Sequence, residues 1–441
     1  MRTFRIGGIH PTANKLSAGQ PIQAIKPPET VVIPLSQHLG APSSAVVAKG
    51  DKVRVGTLIG KAEGFISANV HSSVSGTVMK VDNMPDGFGI PRPSVSIQTE
   101  GDEWESTIDR SRTLIKDCKL TSTEIINKIE AAGIVGMGGA AFPAKIKLSP
   151  PPGKKAEILI VNAAECEPYL TDDHAIMLEY GEQIMVGTAI LMKAINVPRA
   201  IIGIECNKQD AISLMTRFSA DYKGIEVVSL QVKYPQGSEK QLIDALIRRQ
   251  VKSGELPISV GAIVQNVGTV LAAYEAVQKN KPLIERVVTV TGDSLTLPSN
   301  FLVRIGTPVS VLIDAAGGAP LNTKKIIYGG PLMGKAMINV HAPITKGCSG
   351  IILFPQKDAQ RRPIYNCIRC AKCVRCCPMG LEPSLLMNLA EYKMWETAAE
   401  NHVTDCFECG ACNYVCPANR PLLDHIRLGK ITVMEMMKAK K

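Results

Sequence analysis

Aromatic residues are scarce in this 441-residue chain, and long apolar runs are missing from it. Phe, Trp and Tyr make up 4% of the sequence, so few rings are available for bases to stack on, and nucleic-acid binding is disfavoured. No apolar run reaches the roughly 18 to 20 residues of a membrane-spanning helix. Residues 1–8 contain no apolar core of a secretory signal, so we expect no export. In a reducing compartment, cysteines serve as metal ligands more often than they form disulfides.

Composition and charge indicate a folded protein of several domains. Hydrophobic residues make up 45% and charged residues 20%, which are globular proportions, and the length predicts two to four domains. The net charge of +10 is spread along the chain. It suits an acidic protein partner and an anionic membrane surface equally well.

Glycines and short apolar stretches divide the sequence into patterned regions. Residues 31–99 alternate in short apolar strands broken by glycines, which predicts an all-β region, and residues 101–120 resemble a linker. Thr121 and Glu124 form a possible capping box. From there, short apolar runs (158–161, 200–204, 225–230 and 261–264) alternate with helical stretches (about 173–196, 207–219, 237–250 and 268–279). This alternation predicts a mostly parallel, doubly wound sheet, and residues 286–345 then return to short strands.

Two groups of cysteines share one spacing, C-x-x-C-x-x-C-x-x-x-C-P, starting at Cys367 and Cys406. This is the pattern of two-cluster bacterial ferredoxins, in which the fourth cysteine of each group ligates the other cluster. The spacing therefore predicts two [4Fe–4S] clusters. Their ligand sets are Cys367, Cys370, Cys373 and Cys416 for one, and Cys406, Cys409, Cys412 and Cys377 for the other. A pair of zinc sites is the alternative, but zinc would leave the middle cysteine of each triplet without a role.

A glycine-rich loop spans residues 133–143 (GIVGMGGAAFP) and precedes Lys145 and Lys147. It follows a helix and ends in proline, whereas a dinucleotide fingerprint follows a strand and opens a helix. The pattern alone leaves a nucleotide site and a plain tight turn equally open. Consecutive glycines would let backbone amides approach a phosphate or a flat ring closely.

The loop resembles the GxGGxGFP loop of the complex I flavoprotein subunit, which holds FMN and NADH. Residues 162–168 (NAAECEP), 234–239 (YPQGSE) and 264–269 (VQNVGT) resemble further segments of that family in the same order. The resemblance implies FMN contacts from Gly136, Gly138, Asn162, Glu165, Tyr234, Gly237 and Asn266, with Gly139 in the same cofactor-binding loop. It also implies that Phe142, Lys147, Glu167 and Glu239 face NAD(H). Three residues depart from the family pattern, namely Ala141, Ala164 and Ser238, so individual hydrogen bonds to the flavin are expected to differ.

Nearly the whole chain resembles the C subunits of Rnf ion-translocating complexes. The opening residues 4–11 (FRIGGIHP) are similar to the start of that family, and residues 328–334 (YGGPLMG) resemble its soluble-ligand-binding β-grasp (SLBB) domain. The first β region resembles a biotinyl-type barrel-sandwich hybrid, with Phe65 where a carrier domain would hold its modified lysine. The resemblance implies a multidomain α/β protein. Its four parts are a barrel-sandwich hybrid at 1–104, a Rossmann-like FMN/NAD(H) domain at 115–285, an SLBB β-grasp domain at 286–345 and an α-helical two-cluster ferredoxin-type domain at 357–430.

The implied function is electron transfer. The chain is expected to be a peripheral subunit on the cytoplasmic side of the cell (inner) membrane, exchanging electrons between NAD(H) and an ion-translocating ferredoxin:NAD+ oxidoreductase through FMN and two [4Fe–4S] clusters. A flavin suits this role because hydride carries two electrons whereas a cluster takes one. Translocation of Na+ or H+ would occur elsewhere in the complex. Expected partners are the iron–sulfur B subunit, the integral membrane A, D, E and G subunits, and indirectly ferredoxin, but no nucleic acid.

Two alternatives remain at this point. A soluble corrinoid reductase would share the flavin and cluster modules and would reduce cobalamin without a membrane. A non-enzymatic electron-transfer scaffold would keep its clusters but leave the flavin pocket empty.

Overall fold

The computed structural model describes residues 1–439, and its N-terminal region is all-β, as predicted. After the first strand, β1 (Ile22–Ala24), come β2 (Thr30–Pro34), β3 (Ser44–Ala45), β4 (Lys52–Val53), β5 (Leu58–Lys61), β6 (Val70–His71), β7 (Gly76–Pro85) and β8 (Pro91–Thr99). Strands β2-β8-β7-β4 form one antiparallel sheet and β3-β5-β6 another. Alternate residues such as Val31, Ile33 and Ile97 point inward and are completely buried, which is why this sequence forms strands.

The second region is a parallel sheet with helices on both faces, which confirms the predicted alternation. Its strands are β9 (Ile158–Ala163), β10 (Ala200–Glu205), β11 (Ile225–Leu230) and β12 (Ala262–Asn266). They lie in the order β11-β10-β9-β12, and every pair is parallel. The helices are α1 (Ser122–Ala131), α2 (Ala144–Leu148), α3 (Asp172–Glu179), α4 (Gly181–Ala194), α5 (Gln209–Ser219), α6 (Glu239–Ile247) and α7 (Val267–Lys279).

Burial explains both the sheet and its helices. Leu159 and Val161 of β9 face one hydrophobic cluster that includes α4 and α7, whereas Ile158 and Ile160 face a second one that includes α6. A strand buried on both faces reads as a continuous apolar run. The predicted capping box of α1 is present: the Thr121 side chain accepts from the Glu124 amide, and the Glu124 side chain accepts from the Thr121 amide.

One predicted helix is broken in two. Residues 173–196 were expected to be continuous, but α3 ends at Glu179 and α4 begins at Gly181, with Tyr180 between them in a non-helical conformation. At this break Gly181 packs closely against Phe218, and a Cβ on Gly181 would lie 2.8 Å from the Phe218 ring.

The third region is a six-stranded mixed sheet in the order β1-β14-β13-β17-β15-β16. It contains β13 (Glu285–Thr291), β14 (Ser299–Arg304), α8 (Val309–Ala315), β15 (Thr323–Tyr328), β16 (Lys335–Met337), β17 (Gly350–Pro355) and the short helix α9 (Gln356–Ala359). Strand β1 joins it from the N-terminal region, and β17 extends it beyond residue 345. The sheet is therefore larger than the segment from which a β-grasp domain was expected.

The C-terminal region is helical. It contains α10 (Lys372–Cys376), α11 (Pro383–Glu391), α12 (Trp395–Glu400), α13 (Ala411–Val415) and α14 (Leu422–Ala439). Helices α11 and α14 pack together through buried side chains that include Leu386 and Ile426. Among residues 1–439, none of the helices combines the length and apolar character that crossing a membrane would require.

Candidate functional site

The parallel sheet has a topological switch point between β9 and β12. From β9 the strand order runs through β10 and β11 on one side, and β12 lies on the other. Asn162 and Asn266 are register partners at the carboxyl ends of these two strands. Ligands of open parallel sheets bind in the crevice at such a point, and both asparagines were predicted to line the flavin.

The glycine-rich loop crosses this crevice. Its ends are fixed because the Gly136 amide donates to the Phe142 carbonyl at 2.8 Å and the Met137 amide donates to the Thr269 hydroxyl at 2.9 Å. Gly138 lies directly on Asn266: a Cβ at position 138 would be 2.7 Å from the Asn266 Nδ2 atom. A Cβ on Gly139 would meet no protein atom within 4 Å. The loop therefore has one face against β12 and one open face, which is the cradle a flat cofactor ring requires.

Asn266 connects the loop to buried acidic groups. Its side chain accepts from the Gly268 amide at 2.9 Å, capping α7, and donates to the Asp173 carboxylate at 2.8 Å. The Asp173 amide in turn donates to the Glu165 side chain at 2.8 Å. Burial, together with the Glu165 charge, raises the pKa of Asp173. Asp173 and Thr269 were missed from the sequence, although Asp173 stands at the start of a helix a few residues after the predicted flavin segment.

The opposite wall of the crevice is formed by Asn162 and Gly237. The Asn162 amide group donates to the Gly237 carbonyl at 2.7 Å. Gly237 lies so close to the preceding segment that a Cβ would be 2.4 Å from the Ala164 carbonyl oxygen. Asn162 and Gly237, both predicted to contact the flavin, are therefore neighbours. They can lie this close because residue 237 has no side chain.

A buried lysine lies beneath the glycine-rich loop and was also missed. The Lys346 ammonium donates to the Gly133 carbonyl at 2.8 Å and to the Asn69 carbonyl of the β region at 2.7 Å. The residue is 1% exposed, and burial lowers the pKa of Lys346 to about 7. It joins three parts of the chain, which a sequence pattern within one segment does not reveal.

Two residues predicted to face NAD(H) form an ion pair at the edge of the crevice. The Lys147 ammonium lies 2.7 Å from the Glu239 carboxylate and also donates to the Val264 carbonyl at 3.2 Å. Both side chains are about one third exposed, at 29% and 36%, and Phe142 is partly exposed. Their contact with NAD(H) stays a prediction.

Glu167, also predicted to face NAD(H), lies where three regions meet. Its carboxylate accepts from the Leu332 and Met333 amides of the third region at 3.0 and 2.8 Å. Gly330 leaves room for it, since a Cβ there would be 2.3 Å from the Glu167 carboxyl carbon. Burial raises the pKa of Glu167 to about 7. Its role toward NAD(H) is likewise untested by these contacts.

Tyr234 joins the crevice to the cysteine-rich region. The side chain is 1% exposed, and its hydroxyl donates to the Cys409 carbonyl at 2.7 Å. The flavin-lining segment predicted from the sequence is therefore in direct contact with one of the cysteine loops.

The two cysteine loops have the same backbone conformation. In each loop the residues before and after the second cysteine are left-handed: Arg369 and Ala371 in one, Glu408 and Gly410 in the other. Each loop then continues into one short helix, α10 or α13, and these helices pack against each other. The repeated spacing thus gives a repeated structure.

Cysteines of the two loops lie close to one another. Cys377 from the first loop lines one pocket, partly open to solvent, together with Cys406, Cys409 and Cys412. The Tyr365 amide, two residues before Cys367, donates to the Ala418 carbonyl, two residues after Cys416, at 2.9 Å, so the start of the first loop lies beside the end of the second. The ligand assignments stay predictions that this arrangement supports.

The donor set fits iron–sulfur clusters. Burial raises the pKa of Cys406 and raises that of Cys409 to about 12, so thiolates at these positions need a cationic centre to stabilise them, which a cluster supplies. Cys376, beside Cys377, instead donates its thiol to the Cys373 carbonyl at 3.3 Å. Within residues 1–439, no three His, Cys, Asp or Glu side chains converge on a single metal ion.

Family models match all four regions. They describe an RnfC barrel-sandwich hybrid domain at residues 3–102, a Nuo51 FMN-binding domain at 129–275, an SLBB domain at 287–336 and a 4Fe-4S dicluster domain at 362–423. The multidomain α/β architecture expected from the sequence, with its four kinds of domain, is confirmed. So are FMN and [4Fe–4S] clusters as the cofactors of the chain, since one domain of each kind is present.

Several curated proteins are similar over nearly the full length. The chain is 46% identical to the C subunit of the proton-translocating ferredoxin:NAD(+) oxidoreductase complex of Clostridium ljungdahlii, over 97% of this chain and 93% of that protein. It is 42% identical to the C subunit of the Na(+)-translocating complex of Acetobacterium woodii, over 97% and 96%. It is 38% identical to the C subunit of the ion-translocating oxidoreductase complex of Rhodobacter capsulatus, over 100% and 85%.

A solved structure shares the fold. The NAD+-reducing [NiFe]-hydrogenase in its H2-reduced state superposes with a TM-score of 0.51 at 19% identity, covering 71% of this chain and 62% of the hydrogenase chain. This similarity concerns the fold alone.

Proposed function

The chain belongs to the family of C subunits of ion-translocating ferredoxin:NAD(+) oxidoreductase complexes, and from this premise we propose how it works within such a complex. It is an electron-transfer subunit with an FMN-binding domain and a [4Fe–4S] dicluster domain. We infer that it exchanges electrons between NAD(H) and the remaining subunits. Family membership decides against the soluble corrinoid reductase.

The observation that carries this proposal is the contact between the flavin crevice and a cysteine loop. Tyr234 begins the predicted flavin segment 234–239, and its hydroxyl donates to the Cys409 carbonyl at 2.7 Å. Bound FMN would take up hydride as an electron pair and release single electrons. The residues proposed to hold it are those at the switch point: the open face of the glycine-rich loop, Asn162 and Asn266.

The chain's own residues prepare this crevice. The Gly138–Asn266 contact holds the loop against β12, and the chain from Glu165 through Asp173 to Asn266 fixes the asparagine. The Lys147–Glu239 pair stands at the entrance and is proposed to contact NAD(H). Phe142 is proposed to contact the same ligand.

Membership of the complex supports a proposal for where the chain lies in the cell. We propose that it is peripheral on the cytoplasmic side of the cell membrane, beside the iron–sulfur B subunit and the integral A, D, E and G subunits, with ferredoxin as the other redox partner. Coupling to Na+ or H+ movement would lie in those subunits.

Mixing the anaerobic full-length protein with NADH tests the proposal. Bleaching of the flavin absorbance followed by that of the clusters is expected. A protein that retains iron but binds no flavin would instead support the electron-transfer scaffold and overturn this function.

A further inference from the structure

The N-terminal strap, residues 7–15, lies between the flavin crevice and the cysteine loops. Its Gly8 amide donates to the Cys376 carbonyl at 2.8 Å. Gly7, with a φ of +66°, packs so tightly that a Cβ would lie 2.4 Å from the Cys377 carbonyl oxygen. Neither a side chain nor an ordinary backbone conformation would fit at this position. The proposed function makes no use of this segment.

The strap also holds Tyr234. Ile9 and Tyr234 exchange two backbone hydrogen bonds, each of 2.8 Å. The Ile9 side chain is 5% exposed and packs in the same hydrophobic cluster as Tyr234 and Cys412. The residue that reaches Cys409 is therefore fixed along its backbone by the strap.

The C-terminal end of the strap is hydrogen-bonded to residues 165–170, which include the predicted flavin contact Glu165. The Lys15 ammonium donates to the carbonyls of Glu165, Glu167 and Leu170 at 2.9, 2.9 and 2.6 Å. All three donors of the ammonium are thus used on one loop. The Tyr169 amide adds a hydrogen bond of 2.9 Å to the Ala13 carbonyl.

We propose that the strap is a positioning element for electron transfer: it holds Cys377 and the Cys409 loop against the flavin crevice, so that the cluster of the Cys377, Cys406, Cys409 and Cys412 set exchanges electrons with the flavin first. This inference rests on the proposed function. With the cofactors bound, NADH would give a hydride, which is two electrons and a proton, and become NAD+. Both electrons would then leave one at a time through this cluster, so that one could pass on to the other cluster, and the proton would be released to solvent. Cys367 of the other set is exposed, as suits the exit side.

Gly7→Ala tests the strap, with Gly19→Ala as the matched control. Both glycines are left-handed, at +66° and +76°, but a Cβ on Gly19 meets nothing within 4 Å. Small misplacements of reacting groups can cost about a hundredfold in rate. After NADH is mixed with the anaerobic full-length protein, we expect Gly7→Ala to bleach its flavin at the normal rate. We expect its clusters to follow about ten- to a hundredfold more slowly than in Gly19→Ala.

Hydrogen exchange gives a readout that does not depend on turnover. Backbone amides of Tyr234 and of the Cys406–Cys412 loop should exchange faster in Gly7→Ala than in Gly19→Ala, with iron content and dithionite reduction unchanged. If the two variants agree in both cluster rate and exchange, the strap positions nothing and the inference is wrong.

A second variant keeps the inference testable if Gly7→Ala loses its clusters. If Gly7→Ala fails to retain iron, Ile9→Ala removes buried packing but keeps the backbone bonds to Tyr234, and a normal cluster phase in Ile9→Ala overturns the inference. Failure of the proposed function looks different, because then the wild-type flavin itself would not respond to NADH, while the exchange comparison would still report on the strap.

Discussion

Substitutions at two adjacent glycines distinguish a cofactor-binding loop from a plain turn. Gly138→Ala places a methyl group 2.7 Å from the Asn266 Nδ2 atom, whereas Gly139→Val adds its side chain where no protein atom lies within 4 Å. The first change disturbs the protein. The second disturbs only what occupies the open face of the loop.

The effect of Gly138→Ala follows from what Asn266 would lose. Loss of an N-cap costs about 1 kcal/mol, and loss of an ordinary hydrogen bond, here the one to Asp173, costs about 0.5 to 1.5 kcal/mol. If Asn266 keeps part of these contacts by shifting, about 1 to 2 kcal/mol is lost from the crevice. At 1.4 kcal/mol per tenfold, FMN binding should weaken by roughly 5- to 30-fold.

Fluorescence titration of the flavin-free protein with FMN measures both variants. Gly139→Val should also lose FMN affinity, because its side chain would occupy the space of the ring, yet its thermal midpoint without flavin should equal that of the wild type. Both variants should retain iron and dithionite-reducible clusters. Wild-type FMN affinity in Gly139→Val would refute the placement of the flavin on this face, and loss of iron in both would make the loop a folding turn.

Three further predictions concern the cysteines, the ion pair and the buried lysine. Cys370→Ser should lose one cluster, about four of eight irons, whereas Cys376→Ser should retain all of them; equal iron loss in both would contradict the ligand assignment. Glu239→Gln should raise the KM for NADH several-fold with little change in kcat, and an unchanged KM would remove the pair from the nucleotide site. Because burial lowers the pKa of Lys346 to about 7, the folded protein releases this proton at a pH where the unfolded chain still holds it. The contribution of Lys346 to the free energy of unfolding should therefore increase between about pH 7 and 10, by up to about 1.4 kcal/mol per pH unit. Lys346→Met should lose that slope in anaerobic thermal unfolding, and an identical pH profile would contradict it.

The neighbourhood of Lys346 makes this pH response attributable to one group. His38 and His71 face it, and burial lowers the pKa of both, that of His71 to about 3. Both imidazoles are therefore neutral above pH 7, and Lys346 is the member of this group that titrates there.

Features set by short-range patterns could be predicted from the sequence. The cysteine spacing dictates two loops of equal conformation, and the apolar runs dictate a buried parallel sheet whose strand ends carry Asn162 and Asn266. The switch point itself needs the strand order, which no local pattern contains. The close packing of Gly181 against Phe218 at the break after Glu179 likewise joins residues distant in sequence.

The features that the sequence did not predict are contacts between residues of different regions. That Glu167 faces NAD(H) stays a prediction, but no sequence pattern indicated that its carboxylate accepts hydrogen bonds from the Leu332 and Met333 amides. Lys346 contacts residues 213 and 277 positions away in the chain. Such positions become visible only when the domains are packed together.

The proposed electron path runs from NAD(H) through a flavin to two clusters within one chain. The iron, zinc and flavin content of the anaerobically purified full-length protein, with its absorption spectrum before and after NADH, measures every part of that path at once. We predict about eight irons in two cubanes, one FMN, and bleaching of both flavin and clusters by NADH. Stoichiometric zinc without iron, or clusters that dithionite reduces while NADH leaves them oxidised in flavin-loaded protein, would contradict it.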